Sequence, residues 1–85
     1  MDTIEQDVKG YIMRECLPGA DAAELSDTTP LIAGGIVDSL ATIKLVAFLE
    51  ERYGITIQPH EASVDYLDTI ALIADLVRRK RGGAG

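Results

Sequence analysis

The 85-residue sequence has no tryptophan, one phenylalanine, three tyrosines, one histidine and one cysteine. With Tyr11, Phe48, Tyr53 and Tyr66 as its only aromatic residues, the core must be aliphatic, built from Ile, Leu, Val and Ala. A lone Cys16 excludes an internal disulfide, and one thiol beside one imidazole, His60, is too little for a metal site. The same scarcity removes a nucleophilic triad, because Ser39 has no histidine near it in sequence. Gly34-Gly35 is not followed by the Lys-Ser/Thr pair that a phosphate-binding loop requires. The adjacent carboxylates of Glu50 and Glu51 point apart on a helix and read as a solvated face. No catalytic apparatus remains, and the chain is read as non-enzymatic.

Long apolar runs are missing as well. No stretch approaches the roughly 20 residues of a bilayer span. The start, Met1-Asp2-Thr3-Ile4-Glu5-Gln6-Asp7, has neither the basic nor the apolar part of a secretory signal, so a cytoplasmic location is expected. Positive charge is scarce over most of the chain. Four of the eight basic residues are Arg78, Arg79, Lys80 and Arg81, which leaves four basic against fourteen acidic side chains in residues 1–77. Such a body repels nucleic acid and anionic membranes and suits docking onto basic patches of partner proteins.

What is present is ordinary globular composition, 47% hydrophobic and 26% charged. The length fits a single domain, 1–81, followed by a disordered tail, 82–85. A chain this short has one thin core and little room for an enclosed pocket.

Ile4, Val8, Tyr11, Ile12 and Leu17 recur at helical spacing, and Thr3 with Gln6 fits a capping box, which predicts a helix over about 3–16 that Pro18-Gly19 stops. Residues 18–38 have no period, and a loop this long in a small domain points to function. Leu25, Leu31, Ile32, Ile36 and Val37 should pin it to the core, with a helical turn near 21–25. A second helix runs from Ser39 to Tyr53, with Leu45, Phe48 and Leu49 toward the core and Gly54 as a left-handed cap. Ile55-Thr56-Ile57 is a tether whose isoleucines bury, and Glu61–Tyr66 forms a short helix. Asp68 or Thr69 caps a last helix whose inner stripe is Ile70, Ile73, Leu76 and Val77. The fold class is therefore all-α: three main helices, one short helix and a long first loop.

Ser39 stands where that loop enters the best helix, in Gly34-Gly35-Ile36-Val37-Asp38-Ser39-Leu40. A hydroxyl there meets unpaired N–H groups and the positive end of the helix dipole, which favours a phosphate. On those grounds alone Ser39 reads as an N-cap with no further role, since Ser and Asp are common caps. The wider string Asp38-Ser39-Leu40, with Leu45, Phe48 and Leu49 and then Glu50-Glu51-Arg52-Tyr53-Gly54-Ile55-Thr56-Ile57, resembles the acyl carrier protein and peptidyl carrier protein family over nearly the whole chain.

The resemblance implies a small four-helix carrier bundle of the discrete, type II kind. It also implies 4′-phosphopantetheine attached at Ser39, flanked by Asp38 and Leu40, and transferred from coenzyme A by a phosphopantetheinyl transferase. The implied role is to hold a small acyl, aminoacyl or glyceryl group as a thioester and shuttle it, as a monomer, from a loading enzyme to downstream synthase or tailoring enzymes. Fatty-acid carriers of this family have several carboxylates soon after the serine, whereas here Lys44 stands in that stretch and no acid comes before Glu50. That departure sets the chain beside carriers of polyketide and nonribosomal-peptide secondary metabolism. The alternatives are a fatty-acid-type carrier, an unmodified helical interaction module, or a small acidic regulatory protein. Leu40, Ile43, Lys44 and Ala47 are the expected partner-docking residues.

Overall fold

A computed structural model describes residues 4–19, 21 and 25–82. These form α1 (Ile4–Glu15), α2 (Ser39–Tyr53), a 3-10 turn (Pro59–Glu61), α3 (Val64–Leu67) and α4 (Ile70–Gly82), with no strand among the described residues. In α1 the stripe Ile4, Val8 and Ile12 is buried at the i, i+4, i+8 spacing of one helix face. Its expected cap, Thr3, lies outside the described residues, as does most of the expected turn near 21–25.

In α2 the cap is Asp38 rather than Ser39. Asp38 has extended backbone, and its carboxylate accepts the Ala41 N–H at 2.8 Å. The helix stops at Gly54, whose φ of 66° is the left-handed conformation that costs glycine nothing. Thr69 caps α4, its hydroxyl oxygen accepting the Leu72 N–H at 3.0 Å. The helix continues through Gly82, one residue into the expected tail, and residues 83–85 lie outside the described residues.

α4 is the central element. Ile70, Ile73, Ala74, Leu76 and Val77 are all buried, and α1, α2 and α3 each pack against it. The core is aliphatic, and each fully buried Leu, Ile or Val in it contributes about 1.5–3 kcal/mol. Leu25, Leu31 and Val37 are buried in that core, with Ile32 and Ile36 packed partly against it, so the long loop is pinned as the sequence implies.

The short helix differs from expectation. Residues 61–66 do not form one helix; a 3-10 turn ends at Glu61, Ser63 is extended, and α3 begins only at Val64. The Glu61 carboxylate accepts the Gln58 N–H at 2.8 Å, closing the first turn on itself, and the Ser63 hydroxyl donates to the His60 carbonyl. Of the two tether isoleucines, Ile57 is buried and Ile55 only partly so. Ile57 is held by its N–H, which donates to the Glu50 carboxylate at 2.8 Å.

Candidate functional site

Ser39 is the first residue of α2, immediately after its cap. Because the Asp38 carboxylate already caps α2 through the Ala41 N–H, the Ser39 hydroxyl is not needed as a cap, and Ser39 is exposed. The Asp38 carbonyl accepts both the Thr42 N–H and the Thr42 hydroxyl, each at 2.8 Å, which fixes the backbone on either side of Ser39.

The approach to Ser39 is fixed from a distant part of the chain. One Asp68 carboxylate oxygen accepts the N–H groups of Ile32 and Ala33, both at 2.9 Å, and the Asp68 carbonyl accepts that of Leu31. The Leu31 carbonyl in turn accepts from Ile36 and Val37 at 2.8 and 2.9 Å. Within this coil a Cβ on Gly34 would collide with the Pro30 carbonyl oxygen, so the position requires glycine. Sequence reasoning assigned Asp68 only a capping role. Its use as a clamp had no local signal, since its partners lie 35 and 36 residues away.

A groove of about 790 Å³ opens beside Ser39, between α2 and α3. Thr42, Ile43 and Val46 form one wall, Pro59, Ala62 and Val64 the other, and Ile57 lies between. Val64, which sequence reasoning did not single out, is 46% exposed on its rim. The lining is mainly apolar, with Asp38 as its only ionisable side chain.

The remaining sequence-selected residues fall on the outer face of α2. Leu40 and Ile43 are 61% and 66% exposed, so neither is core, and Lys44 and Ala47 are exposed with them. Leu40 and Lys44 border a smaller cavity of about 190 Å³ together with Cys16, Tyr11 and Asp38. Cys16 is half-buried; desolvation, and then the negative charges of Asp38 and Glu15, push its thiol up from the usual range. Such a thiol is a poor nucleophile. Phe48 stacks on Tyr11 with ring centroids 4.2 Å apart, fastening α2 to α1. His60 is exposed, and its ring meets that of Tyr66 edge to face with centroids 6.3 Å apart.

Residues 16–77 match the sequence family described as the phosphopantetheine attachment site. The chain belongs to that family. Its prosthetic group is 4′-phosphopantetheine, and an exposed serine at a capped helix start, opening on an apolar groove, fits such a group. The carrier domain is 38% identical over 68 residues to lincomycin biosynthesis protein LmbN of Streptomyces lincolnensis, which covers 80% of this chain and 24% of that protein. It therefore spans about a quarter of that relative's length. It also superposes, with a TM-score of 0.73 and 34% identity, on a chain from the crystal structure of an FAD-dependent dehydrogenase, covering 82% of this carrier and 97% of that chain. Among the described residues there is no cluster of ligands for a metal ion and no helix long and apolar enough to cross a membrane.

Proposed function

We propose that this domain carries a small acyl, aminoacyl or glyceryl group in secondary metabolism of the polyketide or nonribosomal-peptide kind, with Ser39 as the point of attachment, and that it performs no reaction itself. The observation that carries this reading is the exposed, cap-independent Ser39 hydroxyl within a chain of the phosphopantetheine attachment family. Bound through that hydroxyl, phosphopantetheine supplies a thiol on which the cargo rides as a thioester.

The chain's own residues then have distinct tasks. Asp38 holds the start of α2 in helical geometry, so that the serine oxygen is presented outward. Unpaired N–H groups and the positive dipole end of α2 favour the phosphodiester's negative charge. The groove toward Val64 gives the arm an apolar surface to lie along. Leu40, Ile43, Lys44 and Ala47 offer partners an exposed, partly apolar face beside the attachment point, and apolar surface of that kind marks interaction sites. Partners are a phosphopantetheinyl transferase, a loading enzyme and downstream synthase or tailoring enzymes, in the cytoplasm. The likeness to LmbN supports an antibiotic-type pathway, and the likeness to a chain from an FAD-dependent dehydrogenase structure supports oxidative tailoring of the carried group.

Protein isolated from its producing cells should carry the phosphopantetheine arm plus a further group that hydroxylamine releases while the arm stays attached, and the Ser39→Ala variant should carry neither. A further mass on the arm that resists hydroxylamine would count against thioester carriage.

A further inference from the structure

Four cationic side chains end α4, and carboxylates account for two of them: Arg78 pairs with Glu5 at 2.6 Å and Lys80 with Glu61 at 2.7 Å. Arg79 and Arg81 are used differently. Their guanidinium groups lie over the rings of Tyr66 and Tyr53, 5.8 and 5.4 Å from the centroids, and neither takes a carboxylate among the described residues. A guanidinium resting on a ring face is held in place while its edge N–H donors still point outward, in a fork that matches a carboxylate. A cation at a helix C-terminus needs no ring beneath it to satisfy the dipole.

Both arginines line an open cleft of about 670 Å³ whose opposite side is formed by Gly54, Ile55 and Thr56. Three cations face one carboxylate in this cleft, and that carboxylate, Glu61, already accepts from Lys80 and from the Gln58 N–H. The surplus positive charge is local, in a chain whose residues 1–77 carry fourteen acidic side chains. A long polyanion or an anionic membrane would meet that acidic body beyond the cleft. A compact pair of carboxylates would not.

We propose that the cleft between α4 and residues 54–58 binds a short acidic segment, with at least two Asp or Glu side chains, of a partner protein. The segment would lie extended along Gly54–Thr56 with its carboxylates on Arg79 and Arg81. Gln58 lines both this cleft and the groove that starts at Ser39, so a partner working at Ser39 can occupy the two together. The proposal does not depend on modification of Ser39, and the unmodified chain tests it.

The probe is an end-blocked hexapeptide of alternating Asp and Glu, titrated into the isotope-labelled chain and followed by amide chemical shifts. An Asn/Gln peptide of the same length and inorganic phosphate run in parallel. Shifts should concentrate at residues 53–58 and 76–81. Affinity should fall about tenfold or more in R79Q/R81Q, whose remaining spectrum reports an intact fold, and by a similar factor on raising salt well past the point where exposed charges are screened. The proposal is overturned if the acidic peptide shifts nothing in the cleft, if R79Q/R81Q binds it equally, or if phosphate or the neutral peptide binds as tightly. Salt-sensitive self-association in sedimentation, relieved by R79Q/R81Q, would overturn it in favour of a second copy as the occupant.

Discussion

The Asp68 carboxylate accepts the Ile32 N–H at 2.9 Å, and so ties the segment just before α4 to the loop that delivers Ser39. The same oxygen takes Ala33, so one side chain satisfies two backbone donors of a loop that has no regular structure of its own. Charge-assisted bonds of this kind are about twice as strong as neutral ones.

Asp68→Ala should therefore cost about 1–3 kcal/mol, since the part-buried Ile32 N–H loses a charged acceptor while water can take up the exposed Ala33 N–H. Thermal or urea unfolding measures the loss, and amide exchange should show it concentrated at residues 31–37. Asp68→Asn, which keeps an acceptor, should retain most of the stability.

The helices and their inner faces were legible because Ile4, Val8 and Ile12, or Ile70, Ile73 and Val77, repeat at a period that only one helix face satisfies. Gly54 ends α2 where the string places it, because a left-handed residue there is a local requirement. Ser39 was legible from its sequence neighbours, yet its release from capping by Asp38 was not, as either residue type serves as a cap. The Asp68 clamp, the Glu50–Ile57 bond and the groove wall at Val64 are products of tertiary packing, and no periodicity announces them.

The pH dependence has two sides. Glu5, Asp7 and Glu61 are each held below the ordinary carboxylate range, by Arg78, by Tyr53 and Arg52, and by Lys80 respectively. A depressed carboxylate contributes stability that is complete above its unfolded pKa and is lost as pH falls through the folded one. The unfolding midpoint should hold steady down to about pH 5 and fall below about pH 4. On the alkaline side burial, then its hydrogen bond to Asp7, push Tyr53 up to about 12. That contribution is complete below the ordinary tyrosine value near 10 and is lost as pH rises toward 12. Burial also pushes Tyr11 up, so an ultraviolet titration should show late-ionising tyrosine, of which Asp7→Asn should bring the Tyr53 part earlier. A titration that Asp7→Asn leaves unchanged would contradict the Tyr53–Asp7 contact.

Leu40 and Lys44 are exposed, so substituting them should barely touch the fold, within about ±0.5 kcal/mol. Lys44→Glu and Leu40→Ala should nonetheless lower the rate at which the cognate loading enzyme charges the carrier, by about tenfold for each interaction worth 1.4 kcal/mol at the transition state. Unchanged rates with both variants would move the docking face off α2, to the loop at 25–37 or to α3.

The central claim is that Ser39 receives the prosthetic group. The direct measurement is the intact mass of the unmodified chain after incubation with coenzyme A, magnesium and a broad-specificity phosphopantetheinyl transferase, beside Ser39→Ala treated in the same way. The account predicts a gain of one phosphopantetheinyl unit, located by fragmentation to the peptide containing Asp38-Ser39-Leu40, and no gain in the variant. A chain that stays at its original mass, or a Ser39→Ala variant that gains the same unit, would contradict it.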